Sequence, residues 1–310
     1  MRVLVTGGSG FGGSGLARVL TERGHQVIVL DIVAPSHSQN LQEVLPRITY
    51  LWKAAQDLTT NELLGVDVVV HLAAQADVPM GFSSPLWTME QCVGSAVSLL
   101  EALRRLGHDN YPRKVIYASS GNVYGKPVYL PIDEQHPLTP HNPYAAAKAS
   151  AELYFWAYHR CYGMPIVIMS NGVVIGPGMR REIFIFKWLR AILNGEPVVL
   201  EGGDQTRDIT YVDDVVDAWV KAIEAPEEEV VGQKFQVSFG EEHTIREILD
   251  WSMEIAGKSV EVICREYRPG EKGQREYFTN RKAKKIVGYD PKITPREAIR
   301  YTWEWIKTIL

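Results

Sequence analysis

Short apolar runs alternate with amphipathic segments along the first half of the chain. Val3-Leu4-Val5-Thr6 has the length of a strand and is stopped by Gly7-Gly8-Ser9-Gly10-Phe11-Gly12-Gly13. Leu16, Val19 and Leu20 then recur at helical spacing until Gly24, and Val27-Ile28-Val29-Leu30 is a second apolar run that ends at Asp31. Strand, glycine turn, helix, strand and acid make one βαβ unit of about thirty residues. The alternation continues with a buried-type strand over 66–72, ending in Ala73-Ala74-Gln75. A helix is expected over about 88–106, with Val93, Val97, Leu100 and Leu103 on one face. A strand over 114–118 ends in Ser119-Ser120, a helix carries Tyr144 and Lys148 through Leu153, Phe155 and Trp156, and a strand covers 165–169. Such alternation, with small or polar residues at the strand C-terminal ends, predicts an α/β fold built on a doubly wound parallel sheet. Ligands of such sheets bind just outside those ends.

After about residue 170 the pattern changes. Gly176-Pro177-Gly178 reads as a loop, 184–193 as a helix, 197–200 as a strand and Gly202-Gly203-Asp204 as a turn. Asp213-Asp214 is placed to cap a helix running to Ala225, and Glu227-Glu228-Glu229 reads as a solvated loop or helix end. A strand is expected over 235–239, Thr244 caps a helix, 265–275 is a basic loop, and Pro295 opens a last amphipathic helix. The expected organisation is a Rossmann-type domain over 1–171 plus about 206–239. A smaller C-terminal α/β substrate domain takes about 172–205 and 240–310.

Composition narrows the classes. Hydrophobic content of 45% and charged content of 23% are those of an ordinary globular protein. A net charge of −4 gives no reason to expect nucleic acid or an anionic membrane as partner. No apolar run is long enough to span a bilayer, and Met1-Arg2 leads straight into a strand, so no leader is expected. The three cysteines, Cys92, Cys161 and Cys264, are scattered, which argues for reduced thiols, a cytoplasmic setting and no zinc site.

Two stretches carry candidate chemistry. Glycines 7, 10 and 13 let the backbone turn tightly and approach a pyrophosphate at a helix N-terminus. Asp31 is placed to hydrogen-bond an adenosine ribose; its charge would repel a 2′-phosphate, and no Lys or Arg follows before Arg47. NAD is therefore expected over NADP. In Tyr144-Ala-Ala-Ala-Lys148 the alanines favour helix and the four-residue spacing places both side chains on one face. An ammonium beside a phenol favours the phenolate, which makes Tyr144 a candidate acid–base group. His71 reads as a structural strand-end residue, and His136 and His141 as surface residues of a Pro-rich loop, with no metal spacing among them.

Taken together, Thr6-Gly7-Gly8-Ser9-Gly10-Phe11, His71-Leu72-Ala73-Ala74-Gln75, Ala118-Ser119-Ser120 with Val123-Tyr124-Gly125, and Pro143-Tyr144 with Lys148 resemble the extended short-chain dehydrogenase/reductases. Within them the chain is similar to the NAD-dependent nucleotide-sugar epimerase/dehydratase family, including UDP-glucose 4-epimerase-like enzymes. Gly176-Pro177, Arg207-Asp208 with Tyr211-Val212-Asp214-Val215, and Arg268-Pro269-Gly270-Glu271 extend the resemblance through the C-terminal part. The resemblance implies that Tyr144 is the general base, that Lys148 holds the nicotinamide ribose and lowers the tyrosine pKa, and that Ser120 hydrogen-bonds the reacting hydroxyl. It places NAD against Gly7, Gly10, Phe11, Gly13, Asp31 and the stretch Leu72, Ala73, Ala74, Gln75, with Asp57-Leu58 holding adenine. Arg207 and Arg268 would grip the substrate diphosphate, a role that suits the paired donors of a guanidinium.

The implied reaction removes a hydroxyl proton and a hydride from one carbon, giving a ketone. The 4,6-dehydratases use an Asp-Glu pair after the serine position; here Gly121-Asn122 cannot titrate, so an epimerase is expected, acting at C4 of an NDP-hexose or uronic acid. A decarboxylase, a reductase or a dinucleotide-binding regulator without turnover are the alternatives. Gly12 and Gly15 depart from the family's bulkier residues and suggest a less rigid loop. Cys92 stands where the family has asparagine, and Ser170 and Val173 replace its Arg and Asn, with Asn171 the nearby candidate for the substrate contact. A homodimer is expected through helices near 88–106 and 145–160.

Overall fold

The computed structural model describes all residues, 1–310. The first half runs β1 (Arg2–Thr6), α1 (Phe11–Glu22), β2 (Gln26–Asp31), β3 (Thr49–Trp52), α2 (Thr60–Leu63) and β4 (Val68–His71). It continues with α3 (Val78–Ser83), α4 (Pro85–Met89), α5 (Ser95–Leu106), β5 (Lys114–Ser120), α6 (Pro143–Tyr162) and β6 (Ile166–Asn171). The second half runs β7 (Val173–Ile175), α7 (Phe184–Asn194), β8 (Val198–Glu201), β9 (Thr206–Arg207), β10 (Ile209–Tyr211), α8 (Val212–Glu224) and α9 (Glu227–Val230). Then follow β11 (Gln233–Val237), β12 (His243–Thr244), α10 (Ile245–Ala256), β13 (Val262–Arg265), α11 (Arg281–Val287) and α12 (Pro295–Ile309).

Seven strands form one parallel sheet in the order β11-β6-β5-β4-β1-β2-β3. Strands buried on both faces read as continuous apolar runs, which is why β1, β2 and β4 lack polar alternation. The period of two still sorts them. Val3, Val5, Val27, Val29, Val68 and Val70 pack towards α1 and α8. Leu4, Ile28, Leu30, Val69 and Val115 pack towards α5 and α6 on the other face. On that second face the rings of Tyr117 and Phe155 stack with centroids 4.4 Å apart, and both are fully buried. The smaller lobe gathers α7, α10 and α12 around Phe186, Leu189, Leu249 and Ile306, in one apolar core with the α1/α8 face of the sheet. Three short pairs, β7 with β10, β8 with β13 and β9 with β12, connect it.

Local sequence explains most element ends. Asn142 caps α6 by accepting from Ala145 N–H at 2.8 Å, with Pro143 in the first turn. Thr244 and Thr294 each form a capping box with the glutamate three residues on. Two expectations are corrected, and one strand was not expected. The helix over 88–106 is broken by one wide π-type turn, Glu90–Gly94, between α4 and α5. Asp213 and Asp214 lie inside the first turn of α8, and Asp214 instead accepts from the N–H groups of Lys292 and Ile293, both at 3.0 Å. Strand β3, in which Thr49 and Trp52 are exposed and Tyr50 and Leu51 only half-buried, had too little apolar signal to be expected.

Candidate active site

A cleft of about 1140 Å³ opens along the C-terminal ends of the sheet strands, between the sheet and the smaller lobe. Every expected site residue lines it except Asp57 and Leu58. The wall at that segment is Ala55 and Gln56, and Leu58 is turned into the apolar layer beneath.

The sheet wall of the cleft is built by backbone. Gly7 has φ +69°, and a Cβ there would sit 2.7 Å from Ala73 N. A Cβ on Gly13 would sit 2.3 Å from Gly7 O, so the glycine turn and α1 touch main chain to main chain. Gly10 begins α1 without any side-chain cap, which leaves the first-turn N–H groups free for an anion. The Asp31 carboxylate accepts from Ser9 N–H (2.9 Å) and Val33 N–H (3.0 Å), which fixes it at the rim with acceptor capacity to spare. Tyr50, unexpected from the sequence, locks the same turn: its hydroxyl lies 2.6 Å from Ser9 Oγ and donates to Val33 O at 2.6 Å. Thr6 Oγ1 accepts from Ala73 N–H at 3.3 Å and is hydrogen-bonded to His71 Nδ1 at 2.8 Å, which sets the Leu72–Gln75 stretch against the turn. His71 is buried, as expected, and burial drives its pKa down to about 3, so it is neutral. The buried Gln75 Oε1 has no partner within the chain and lines the cleft. Bare helix N–H groups, a clash-limited glycine cradle, a fixed ribose-type acceptor and an orphan amide oxygen together fit a dinucleotide.

At the middle of the cleft, Ser120 ends β5 and lies in register with Asn171 at the end of β6. Ser120 Oγ accepts from Asn122 N–H at 3.2 Å. Tyr144 and Lys148 face the cleft one turn apart on α6. Burial pushes the Tyr144 phenol up to about 12 and Cys92 adds to the rise; Ser120 beside it and the Arg180 guanidinium oppose it. Lys148 is pulled down to about 8 by burial, while Cys92 and Glu152 favour its charge. Its ammonium donates to Ala118 O at 2.5 Å and lies 4.3 Å from the Tyr117 ring centre. The expected lowering of the Tyr144 pKa by Lys148 is not seen: the ammonium is turned to the strand end, and burial dominates. Asn171 Oδ1 is buried with no partner within the chain, an acceptor left for a ligand.

The facing wall is built by charged side chains. Arg207 is buried between Glu271 (3.1 Å) and Glu276 (3.5 Å), and also donates to Thr206 O at 2.8 Å. Arg268 pairs with Glu201. Arg180, which no motif pointed to, crosses the cleft and donates to Ala76 O at 2.6 Å. Two glycines explain departures from the family pattern. A Cβ on Gly121 would lie 2.4 Å from Phe278 Cζ, so Phe278 occupies the space of any side chain at 121. A Cβ on Gly12 would lie 2.8 Å from the Trp219 indole, so α8 supplies the bulk that position 12 lacks, and the loop is packed rather than loosened. A Cβ on Gly15 would lie 3.2 Å from a Val216 methyl, a less severe approach. Cys92 is buried in the wide turn, its thiol 3.3 Å from Gln75 O. His136 is a correction: it is buried, accepting at Nε2 from Val128 N–H (2.9 Å), whereas His141 is half-buried. No group of three or more His, Cys, Asp or Glu gathers as a metal site.

Known proteins place this architecture. Residues 3–238 match the NAD dependent epimerase/dehydratase family. The chain is 34% identical over 322 residues to a UDP-glucose 4-epimerase of Mycolicibacterium smegmatis, covering 99% of each. It superposes on UDP-glucuronic acid 4-epimerase from Bacillus cereus, solved with UDP-glucuronic acid and NAD, with a TM-score of 0.92 at 26% identity and 100% of both chains covered. The dTDP-glucose 4,6-dehydratase DesIV of Streptomyces venezuelae, solved with NAD, superposes with a TM-score of 0.91 at 29% identity, covering 99% of this chain and 97% of that one. An epimerase and a dehydratase match equally well, so the backbone alone does not choose between their reactions. With the glycine cradle, the Ser120/Tyr144/Lys148 group and these matches in hand, the chain belongs to the NAD dependent epimerase/dehydratase family.

Proposed function

We propose that the protein is an NAD-dependent nucleotide-sugar epimerase that inverts C4 of an NDP-hexose or NDP-hexuronic acid through a transient 4-keto sugar. One observation carries this: the glycine cradle, the Ser120/Tyr144/Lys148 group and the Arg207/Arg268 wall line a single cleft. Bound NAD supplies a hydride acceptor and a positive charge beside the reacting carbon. Gly7, Gly10, Phe11 and Gly13 hold its pyrophosphate, Asp31 its adenosine ribose, and Leu72, Ala73, Ala74 and Gln75 the nicotinamide side. Asp57 and Leu58 remain the proposed adenine contact from just behind the wall. Arg207 and Arg268 hold the substrate diphosphate. Ser120 and Asn171 orient the sugar, and Tyr144 Oη takes the C4 hydroxyl proton and later returns it. The Tyr144 phenol needs added positive charge to act as a base near neutral pH, because burial holds it at about 12.

The Gly121–Phe278 contact supports epimerisation over 4,6-dehydration. Asn122 cannot titrate, and there is no room at 121 for an acid. The charged wall also supports a division in which residues 1–171 with about 206–239 serve the cofactor and about 172–205 with 240–310 serve the substrate. Leu153, Tyr154 and Tyr162 stand exposed on α6, which supports a homodimer through α5 and α6. Free thiols at Cys161 and Cys264, both exposed, fit a reducing cytoplasmic setting. No helix is long and apolar enough to cross a membrane.

The reading is tested by incubating the protein with UDP-glucose, UDP-glucuronate and their N-acetyl and dTDP counterparts, and following products by NMR. C4-inverted sugar is expected; a 4-keto-6-deoxy sugar or a pentose would replace the proposal by a sister activity. Tyr144→Phe should lower kcat about 1000-fold with NAD still bound. Wild-type turnover by that variant would remove Tyr144 from the mechanism.

A further inference from the structure

Behind the cleft lies a buried charged cluster that none of the roles above uses. Glu152 follows Lys148 by one turn of α6 and is buried. One carboxylate oxygen accepts from Ser119 Oγ at 2.6 Å, and Ser119 is the neighbour of Ser120 at the end of β5. The other accepts from Lys234 Nζ at 2.6 Å, on the edge strand β11. Lys234 is itself buried and lies 4.5 Å from the Tyr124 ring centre. Desolvating both charges is costly, so the pair is weak evidence for stability; what it does is tie α6 to β5 and to β11 through one carboxylate.

We propose that Glu152 is a positioning residue for the reaction. Held by Lys234 and Ser119, it clamps the turn of α6 that bears Lys148 to the strand end that bears Ser120, and it presents the one acidic side chain facing Lys148. The proposal rests on the roles given above to Ser120, Tyr144 and Lys148. Two features make the clamp directional. Ser119 and Ser120 point to opposite sides of β5, so fixing the first from behind sets the second towards the cleft. Lys148 donates to Ala118 O on the same strand end, so helix and strand are tied twice within one turn. The groups facing Lys148 are Glu152 on α6, Cys92 on the wide turn before α5, His71 on β4 and the Tyr117 ring on β5. His71 is neutral and the Cys92 thiol is pushed up by burial, so Glu152 is the standing negative charge among them. Around the other end, Lys234 also faces Glu134 and Tyr124.

The test uses the full chain loaded with NAD and UDP-glucose or whichever sugar the product assay selects. The double variant Glu152→Gln/Lys234→Met removes both buried charges together and so avoids leaving either unpaired. It should keep bound NAD and a KM within about twofold, lower kcat roughly tenfold, and move the alkaline limb of the kcat profile to lower pH by about one unit. A folded, NAD-loaded double variant with wild-type kcat and an unmoved limb overturns the proposal. If the double variant does not fold, Ser119→Ala decides: it cuts the strand tie and leaves the charge. It should lower kcat several-fold with KM and the alkaline limb unchanged, and unchanged kcat overturns the clamp. Lys148→Met in the same series separates the two readings. Lost turnover there leaves the Lys148 assignment standing, so a null result at Glu152 counts against the clamp alone. Retained turnover counts against the Lys148 assignment and overturns the clamp with it.

Discussion

The two walls of the cleft are made differently. The cofactor wall is main chain pressed on main chain: Gly7 against Ala73, Gly13 against Gly7. Its specificity is steric and leaves little room for any side chain. The substrate wall is side chains already occupied: Arg207 between two carboxylates, Arg268 on another. Its selectivity would be electrostatic: the proposed diphosphate would compete with Glu271, Glu276 and Glu201 for the same donors. The first wall is preorganised and intolerant; the second is charged and exchangeable. Substitutions on the two walls should therefore fail in different ways.

The largest effect belongs to the cofactor wall. Gly13→Ala puts a methyl 2.3 Å from Gly7 O and should cost about 3 kcal/mol of stability together with bound NAD. Chemical denaturation and cofactor content measure both, and an NAD-loaded variant of wild-type stability would end the steric account. On the substrate wall, Arg207→Ala should raise KM for the nucleotide sugar roughly 30- to 100-fold, about 2–3 kcal/mol, with NAD content intact. An equal loss of NAD would erase the distinction between the walls. The third effect is in pH. His71 sits beneath the cofactor wall with its pKa lowered from 6.5 to about 3 by burial, so the folded chain holds it neutral where the unfolded chain binds a proton. Its contribution is fully present above about pH 6.5 and is lost as pH falls through the window down to 3. Between pH 6.5 and 5 the protein should lose about 2 kcal/mol through this group, and His71→Gln should flatten that part of the stability profile.

The contrast also explains what could be read from the chain. Glycine spacing and apolar runs report backbone demands, which are local, so β1, the turn, α1 and Asp31 were legible from a thirty-residue window. The Tyr144/Lys148 spacing was legible for the same reason. The sign of the tyrosine shift was not, because it depends on burial and on the Lys148 ammonium turning to Ala118 O. Tyr50 was missed because β3 is half exposed. Arg180, Glu276 and Phe278 were missed because their partners lie about 65 to 160 positions away, beyond any periodicity. A trace of the buried clamp was present: Glu152 continues the Tyr144/Lys148 face at the same interval, and Lys234 is the one charged residue of β11. His136 misled because a histidine in a Pro-rich loop reads as solvent-facing, while here its ring is closed in by Tyr124 and Tyr129.

The contact of Gly12 with Trp219 bears on descent. The two positions are 207 apart in sequence and share one volume, with the indole standing where a side chain at 12 would go. A residue enlarged at 12 alone would overfill that space, and a tryptophan reduced at 219 alone would hollow it, each at a cost of about 1–4 kcal/mol. Either position is expected to tolerate substitution best when the other changes with it. An N-terminal unit exchanged with that of a relative carrying a bulky residue at this turn would arrive without its counterpart on α8, even where the cofactor contacts were identical.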